Sequence, residues 1–472
     1  MLSSLRLPSR QYNVTLLIVA AVLALAFLLG LRASVFWLAV LFAGFGGLIL
    51  LRRPVLGLVA LIVAALAVPV TISTGTEVSL NAVTLLLPGV AAIWLLDQVI
   101  RGRFGIISSS VNRPLMLFLL ASLVSLLIGR AIWDPLIPLN NNFLLVQLAQ
   151  WGIFVLSALA FWLMANLAAD EKTLWRIVAF FLFFAGGTAI VQAVPGLAAV
   201  TAPITTFAFA RAPLWILLAA LAGGQLLWNN KLALGWKVFL IAILLATLIY
   251  ALVAQQEAVS NWVGLAVVLV TLFWLRFPRA RWFALLAVVA LIIMGLAFPT
   301  IYQFAGGDAE WTESGGSRLV LIQRVIEVTL RNPITGLGPA AYRPYANATP
   351  LLYQRIYWLN PLVNSHNNYV DLFAHGGLLG LTLFVWFVWE IAQLGARLRR
   401  RFTVGFAVAY VNGMLAAGVG ALVLMAFADW ILPFVYNIGF IGFQASVLVW
   451  LFMGGLVALD NMPQSVNDDK NG

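Results

Sequence analysis

Runs of about twenty mainly apolar residues follow one another along most of this chain and constrain its fold more than any other feature. An α-helix needs about 20 such residues to cross the hydrocarbon core of a bilayer, and it bonds its own backbone polar groups on the way. The runs that meet this length lie near 14–31, 33–51, 54–74, 80–100, 114–132, 143–167, 173–194, 207–228, 236–254, 258–276, 281–300, 374–396, 402–427 and 436–458. The sequence therefore predicts an all-α polytopic membrane protein with about 14 transmembrane helices.

The composition excludes a water-soluble globular protein. Hydrophobic residues make up 63% of the chain and charged residues 9%, with a mean hydropathy of +1.02, whereas soluble domains have roughly 45–50% apolar and about 25% charged residues. The absence of cysteine excludes disulfides, thiolate zinc sites and cysteine nucleophiles. With two histidines and few carboxylates in 472 residues, we predict no metal site and no cofactor.

The net charge of +11 has to be located along the chain before it is interpreted. If the N-terminus is cytoplasmic, most of the lysines and arginines fall at the cytoplasmic ends of the predicted helices, as the positive-inside rule requires. This distribution predicts an even number of spans with both termini in the cytoplasm. The positive charge then faces anionic membrane lipid, and nucleic acid is not a predicted partner.

The same topology divides the chain into four parts. We predict an N-terminal bundle of about eleven helices over 1–300, one large external loop over 301–373 and about three further helices over 374–460. The residues from 461 to 472 are polar and predict a disordered cytoplasmic tail. The external loop is the longest polar segment between helices, which makes it the first place to look for chemistry.

The external loop is predicted to contain an amphipathic helix. Ser314 or Ser317 can cap a helix that continues to about Arg331 and is ended by Asn332-Pro333. One face of this helix carries Leu319, Ile322, Ile326 and Leu330. We expect such a helix to lie in the membrane interface, with its apolar side against lipid or against the bundle.

Two residues of the external loop are candidates for chemistry. His366 stands among polar neighbours just before a predicted helix, and it is either a general base or a loop histidine without a task. Arg318 is either a planar fork for phosphate oxygens or an ordinary loop arginine. His375, at the start of the next apolar run, is interpreted as a packing residue.

Further candidates lie at other external helix ends. Arg211 falls in the outer part of an apolar run, where a cation is either functional or snorkels to the interface. Gln256 and Glu257 stand at a second helix end and Asp429 at a third. Polar residues at several external ends predict a site that is open to the outer leaflet.

Four sequence segments in the loop region carry a resemblance to a known family. They are Gly316-Ser317-Arg318, Asn332-Pro333-Ile334-Thr335-Gly336-Leu337-Gly338, Ser365-His366-Asn367-Asn368-Tyr369 and Gly377-Leu378-Leu379-Gly380-Leu381. Over about 316–381 the chain resembles the O-antigen ligase and O-antigen polymerase family, which includes bacterial O-oligosaccharyltransferases. Over the preceding helices the resemblance is architectural only.

The resemblance implies a fold, an activity and a location. It implies a GT-C-type glycosyltransferase of the inner membrane, with its large loop on the periplasmic side. Such an enzyme moves a glycan from an undecaprenyl-diphosphate carrier to an acceptor hydroxyl on a glycan or a lipid-anchored molecule, without a metal or a nucleotide sugar. By the same resemblance His366 activates the acceptor hydroxyl, Arg318 holds the diphosphate, and Asn367 is an auxiliary candidate.

The chain departs from the family pattern before the loop. Family members usually have a Ser-Arg-Gly-type motif at the external start of a helix two spans earlier, whereas residues 255–264 of this chain contain no arginine. Three explanations are open: Arg211 supplies the second cation, the donor binds differently, or activity is lost. Gln256 and Glu257 remain auxiliary candidates here, Glu257 as a base or an acceptor contact.

Other functional classes give different expectations. A lipid-glycan flippase or transporter should have broken, repeat-related helices and ionisable residues at the membrane midplane. The polar residues cluster in one external loop instead, which favours a transferase. A non-catalytic assembly partner gains support from the missing arginine. Within the transferase class, a ligase and a polymerase use the same donor and differ in what presents the hydroxyl.

Overall fold

The computed structural model describes residues 35–463, except 77, 103–104, 255–258, 284–285, 287–288, 291–315, 349–350, 354–356 and 360–364. Several expectations lie outside the described residues: the first predicted helix (14–31), most of the helix predicted over 281–300, the candidates Gln256 and Glu257, and nearly all of the tail. The chain divides into two compact units, residues 1–54 and 55–472. In the first unit the structure describes the helix α1 (Val35–Arg52).

The second unit is built mainly from helices, which follow one another in chain order. They are α2 (Leu56–Ala67), α3 (Ala82–Ile100), α4 (Asn112–Ala131), α5 (Phe143–Leu167), α6 (Glu171–Phe181), α7 (Gly187–Ala193), α8 (Ala198–Thr201), α9 (Ala212–Trp228), α10 (Leu234–Ile249), α11 (Val259–Arg276), α12 (Gly316–Thr329), α13 (Tyr342–Ala348), α14 (Asn368–Arg401), α15 (Gly405–Phe427) and α16 (Gly439–Asn461). A π-helical turn, Leu182–Gly186, joins α6 to α7, and another, Tyr250–Ala254, extends α10.

The prediction of a mostly helical polytopic membrane protein is confirmed. Among the described residues, eight helical segments are long and apolar enough to cross a membrane, and three further apolar helices are shorter. The total of about 14 spans stays a prediction. The described residues also contain two antiparallel hairpins, β1 (Thr71–Ser73) with β2 (Ser79–Asn81) and β3 (Leu351–Tyr353) with β4 (Tyr357–Leu359), which the helical pattern does not predict.

The core of the second unit lies where α9 and α16 pack against α5 and α15. Small residues allow these helices to approach closely, as is common in membrane bundles. A Cβ atom on Gly224 of α9 would lie 2.5 Å from the Ala409 carbonyl oxygen of α15, and one on Gly454 of α16 would lie 2.0 Å from the Phe161 carbonyl oxygen of α5. These glycines therefore set how near the backbones can come.

The helix α14 is interrupted at Gly377, whose backbone is in an extended left-handed conformation (φ 62°, ψ −164°). The break leaves the next amide groups without partners inside the helix. The Leu378 amide donates instead to the Pro333 carbonyl at 2.8 Å, and the Leu379 amide donates to the Ile334 carbonyl at 3.0 Å. The kink is thus stabilised by the Asn332–Gly338 turn, which lies directly against it.

The turn and the kink approach each other backbone to backbone. The Leu337 amide donates to the Ala374 carbonyl at 2.9 Å. A Cβ atom on Gly336 would lie 2.4 Å from the Gly377 amide nitrogen, and Gly336 itself has a φ of 75°. The glycines of two sequence segments that the family resemblance singles out therefore join the loop to the start of α14.

Some helix boundaries differ from those predicted. The helix α9 begins at Ala212 rather than near 207, so that Arg211 is its N-cap residue. The helix α14 begins at Asn368 rather than near 374, which places the predicted boundary between the external loop and the last helices inside a helix. The 3-10 turn Phe207–Ala210 explains the first shift, because it is as apolar as the helix that it precedes. The second shift arises because α14 begins with polar residues, among them Asn368 and Asp371, which precede its apolar run.

The amphipathic helix predicted in the loop is α12. Its predicted stripe lies largely on the surface of the protein, since Leu319, Ile326 and Leu330 are exposed. The contacts with the bundle are made by Leu321 and Val325 on another face, both of which are buried. The stripe was expected to face either lipid or the bundle. In the described structure it lies on the outer side of the bundle.

Candidate functional site

His366 is held at the start of α14 by the residues on either side of it. It has a positive φ of 51°, which is uncommon outside glycine and marks a constrained backbone. Asn367 caps the helix, since its Oδ1 accepts from the amides of Tyr369 at 3.0 Å and Val370 at 3.2 Å. The Ser365 hydroxyl donates to the Asp371 carboxylate at 2.8 Å and closes the turn from the other side.

A connection between α15 and α16, residues 428–438, packs against the start of α14. Most of this segment is buried, so its backbone groups require partners inside the protein. Asn368 supplies several of them: its Nδ2 donates to the Leu432 carbonyl at 2.8 Å, and its Oδ1 accepts from the amides of Ile431 and Leu432. The second asparagine of the motif therefore joins α14 to the 428–438 segment.

Asp429 is a buried carboxylate within the 428–438 segment. Its Oδ2 accepts from the Phe434 amide at 3.0 Å, and its Oδ1 accepts from the Asn437 side-chain amide at 3.1 Å. These two hydrogen bonds fold the segment around the carboxylate and fix its position. The side chain lies within electrostatic reach of His366.

Arg318 reaches the same place from the first turn of α12. Its guanidinium Nη1 donates to the Phe427 carbonyl at 3.4 Å, at the C-terminal end of α15. The neighbouring carbonyl, that of Ala426, accepts from the Nδ2 of Asn367 at 3.1 Å. Arg318 and the His366 turn are thus placed side by side on one helix end.

Arg211 also lies at this site, although it comes from a distant part of the sequence. Its guanidinium stands 3.9 Å from the centroid of the Phe207 ring and 5.8 Å from the centroid of the Trp430 ring. Its buried Nε has no hydrogen-bond partner among the residues described. An aromatic ring attracts a cation without satisfying its N–H groups, so Arg211 keeps donor capacity for an anion.

The charges of the site act on one another. Burial lowers the pKa of His366, the Asp429 carboxylate raises it, and the positive charge of Arg318 lowers it further. Burial raises the pKa of Asp429, while the bond from the Phe434 amide and the charge of His366 oppose this shift. Burial also lowers the pKa of Arg211, with Asp429 opposing. The net result for His366 favours the neutral imidazole.

The structure therefore brings together three predicted site residues, His366, Arg318 and Arg211. Asn367, next to His366, is the N-cap residue of α14. It adds Asp429, which the sequence singles out only as a polar residue at an external helix end. A carboxylate directly after an apolar run was the signal for it, but its proximity to His366 depends on how α15 and α16 pack. The auxiliary candidates Gln256 and Glu257 lie outside the described residues.

His375 has a different environment from His366. It is buried, its Nδ1 accepts from the Ala340 amide at 3.2 Å, and its ring stacks on Phe434 with centroids 5.4 Å apart. All of these contacts are structural, and they agree with its interpretation as a packing residue.

This arrangement combines three chemical capabilities. A neutral imidazole can accept a proton, a neighbouring carboxylate can stabilise the imidazolium that forms, and two arginines can bind an anion with several oxygens.

Residues 242–385 match the family model described as O-Antigen ligase. This match supports the O-antigen ligase family. The family resemblance stated from the sequence is thereby confirmed, and the family is one of ligase- or polymerase-type activity.

The segment that matches the family model begins within α10 and ends near the middle of α14. It contains Arg318, Asn367 and His366, whereas Arg211 precedes it and Asp429 follows it. The site therefore draws on residues from both sides of the matched segment. No curated protein matches the chain.

Proposed function

We propose that this protein is an O-antigen ligase-like glycosyltransferase that moves a glycan from an undecaprenyl-diphosphate carrier to an acceptor hydroxyl. The observation that carries this proposal is the convergence of His366, Arg318, Arg211 and Asp429 at one end of the bundle. A glycosyl diphosphate needs stabilisation of its leaving group, and a hydroxyl nucleophile needs a base. The four residues provide both functions in one place.

In the proposed reaction, the neutral imidazole of His366 takes the proton of the acceptor hydroxyl as its oxygen attacks the anomeric carbon. The bond between that carbon and the carrier diphosphate breaks, and undecaprenyl diphosphate leaves with the electron pair. Asp429 stabilises the imidazolium that forms. General base catalysis of this kind typically contributes about 10²–10⁴-fold in rate.

Arg318 and Arg211 bind the diphosphate in this proposal. The negative charge on the leaving diphosphate grows in the transition state, and guanidinium groups placed in advance stabilise it without reorganisation. Arg211 takes the place of the arginine that the stretch 255–264 lacks. Its unpartnered Nε and its place beside the Asp429 segment support that assignment.

The proposed location is the inner membrane, with both termini cytoplasmic and the site on the periplasmic side. The positive-inside distribution of basic residues supports this orientation, and it would expose the site to lipid-carried glycan. An acceptor that is a lipid-anchored core gives a ligase, and one that is a growing glycan gives a polymerase. Both reactions use the same donor and the same four residues.

Transfer from undecaprenyl-diphosphate glycan by the purified protein tests the proposal. We expect His366→Ala and Arg318→Ala each to reduce turnover by at least about 10²-fold, because each removes a group that acts in the transition state. Arg211→Ala should behave like Arg318→Ala. The matched control is Arg101→Ala, which removes an exposed arginine outside the candidate site and should leave turnover unchanged.

Undiminished turnover in both His366→Ala and Arg318→Ala would contradict the mechanism. Supplying candidate acceptors one at a time and sizing the products separates a ligase, which adds one preformed chain, from a polymerase, which gives a ladder. Translocation of the carrier in liposomes without any transfer would instead indicate a flippase.

A further inference from the structure

A second cavity lies beside the loop, at the C-terminal end of α4. Its volume is about 160 Å³, and it is lined by Gly129, Ile132, Asp134, Arg331, Asn332 and Tyr345, among others. The turn after α4 and the turn after α12 form its two walls. It is therefore separate from the His366 site, which lies at the opposite end of α12.

The polar groups of this cavity are arranged as a donor–acceptor pair over a ring. The Arg331 Nη1 donates to the Asp134 carboxylate at 3.0 Å, and the Arg331 guanidinium stands 5.2 Å from the centroid of the Tyr345 ring. The Arg331 side chain remains 54% exposed and the Asp134 side chain 30% exposed. The Asp134 Oδ1 also accepts from the Leu136 amide at 3.0 Å, but each carboxylate oxygen can accept more than one hydrogen bond. Both residues can therefore form further hydrogen bonds toward the cavity.

These groups match the chemistry of a sugar ring better than that of an ion. A carboxylate only accepts and a guanidinium only donates, whereas each sugar hydroxyl does both. The charges of Arg331 and Asp134 offset each other, which disfavours a charged ligand. A small concave site with an aromatic wall and a few convergent polar groups is typical of small-molecule recognition.

The ion pair alone gives a weaker explanation for this arrangement. An exposed pair of this kind contributes about 0–1 kcal/mol to stability, and the turn is already joined to α14 by backbone hydrogen bonds. The loop therefore does not depend on Asp134 and Arg331 for its position. Their exposed polar edges are then available for a ligand.

The separation from the reaction site also suits a glycan. Arg318 and Arg331 stand near the two ends of α12, thirteen residues apart, which corresponds to roughly 20 Å at the rise of an α-helix. An oligosaccharide of several units can span this distance, whereas a single sugar cannot.

We infer that the Asp134–Arg331 cavity is a binding subsite for a neutral sugar unit, several residues away from the bond that reacts. The inference rests on the proposed transfer of a lipid-linked glycan and adds a second site that binds the glycan chain. Asp134 accepts from one sugar hydroxyl, Arg331 donates to a neighbouring one, and the Tyr345 ring forms part of the wall.

Direct binding of free glycan tests this subsite without requiring transfer. The probes are oligosaccharides released by mild acid from the surface polysaccharide of the source organism and sorted by length. They are added to the purified full chain and followed by saturation-transfer NMR and calorimetry. We expect Asp134→Asn and Arg331→Gln each to weaken binding of the longer oligosaccharides by about tenfold, because each removes a charge-assisted hydrogen bond.

Two controls separate sugar binding from a structural effect. Arg331→Lys keeps a cation beside Asp134 but loses the planar fork, so it should weaken glycan binding while thermal unfolding stays as in the wild type. Arg101→Gln breaks an ion pair elsewhere, with 2.8 Å between Arg101 and Asp97, and should not change glycan binding.

The inference is overturned if the wild-type protein binds no released glycan, or if the Asp134 and Arg331 variants bind it as tightly as the wild type does. Loss of binding in these variants, in a protein that catalyses no transfer, would support the subsite and reject the proposed function. Normal transfer with an unchanged donor KM and unchanged glycan binding in the variants would support the proposed function and reject the subsite.

Discussion

His366 shows how several neighbours set the properties of one residue. Its ring is partly buried, Asp429 and Arg318 act on it with opposite charges, and a left-handed backbone fixes its direction. The pKa of His366 is lowered overall, mainly by burial. A histidine that remains neutral below the usual range can act as a base over a wider range of pH.

The pH dependence of transfer follows from these charges. Activity should fall on the acid side as His366 becomes protonated, at a pH below the pKa of a free histidine. Removing the positive charge in Arg318→Ala should raise the pKa of His366 and shift this limb to higher pH. Removing the negative charge in Asp429→Asn should lower that pKa and shift the limb to lower pH. The pH profile of kcat/KM measures both, and shifts in the same direction would contradict the assignment.

At the scale of secondary structure, the site depends on how the Asn332–Gly338 turn is joined to the kink of α14. Gly377 has a φ that side chains rarely adopt, and a Cβ atom there would lie 2.3 Å from the Ile334 carbonyl oxygen. Its neighbour Gly376 has open space around a Cβ position. A side chain would therefore fit at position 376 but would be strained and crowded at position 377.

This difference predicts unequal effects of two alanine substitutions. Gly377→Ala should destabilise the protein by about 1–3 kcal/mol, the cost of a strained backbone conformation, and should reduce activity because the kinked helix carries the His366 turn at its start. Gly376→Ala is the matched control and should leave both nearly unchanged. Thermal unfolding in detergent, followed alongside transfer, compares them, and equal stability of the two variants would refute the role of the kink.

For the second unit as a whole, helix ends that the charge distribution assigns to one side of the membrane are found together. Lys172, Lys231 and Phe402, from three predicted cytoplasmic turns, line a common cavity of about 890 Å³. The predicted external residues Arg318 and Arg211 contact the last residue of α15 and the following 428–438 segment, respectively. This grouping agrees with the predicted division of the helix ends between two sides of the membrane. Which side is cytoplasmic is a separate prediction.

Single cysteine substitutions can measure it, because the chain contains no cysteine of its own. Leu136 and Leu234 are both highly exposed and fall on opposite predicted sides. Leu136→Cys should react with a membrane-impermeant maleimide in intact cells whose outer membrane admits the reagent. Leu234→Cys should react only after the inner membrane is opened. The reverse pattern would show that the orientation is wrong.

The sequence alone determined the membrane character, most of the helices, and the resemblance to the O-antigen ligase family. These follow from properties local to the chain: the length of apolar runs, and short motifs whose residues are close in sequence. It also singled out His366 and Arg318, because both stand within such motifs. Two helix boundaries could not be located from the apolar pattern. Before Arg211 the chain is apolar but not yet α-helical, and at Asn368 the helix begins with polar residues.

Only the tertiary structure decided which polar residues share a site. Arg211, Arg318 and Asp429 come from three separate helix ends, and no sequence spacing relates them. Their meeting follows from the close packing of α9 and α16 with α15, which glycines permit, and from asparagine side chains that bind the buried 428–438 segment. The physical reason is that burying this polar segment requires partners from other helices, and those partners bring the charged residues together.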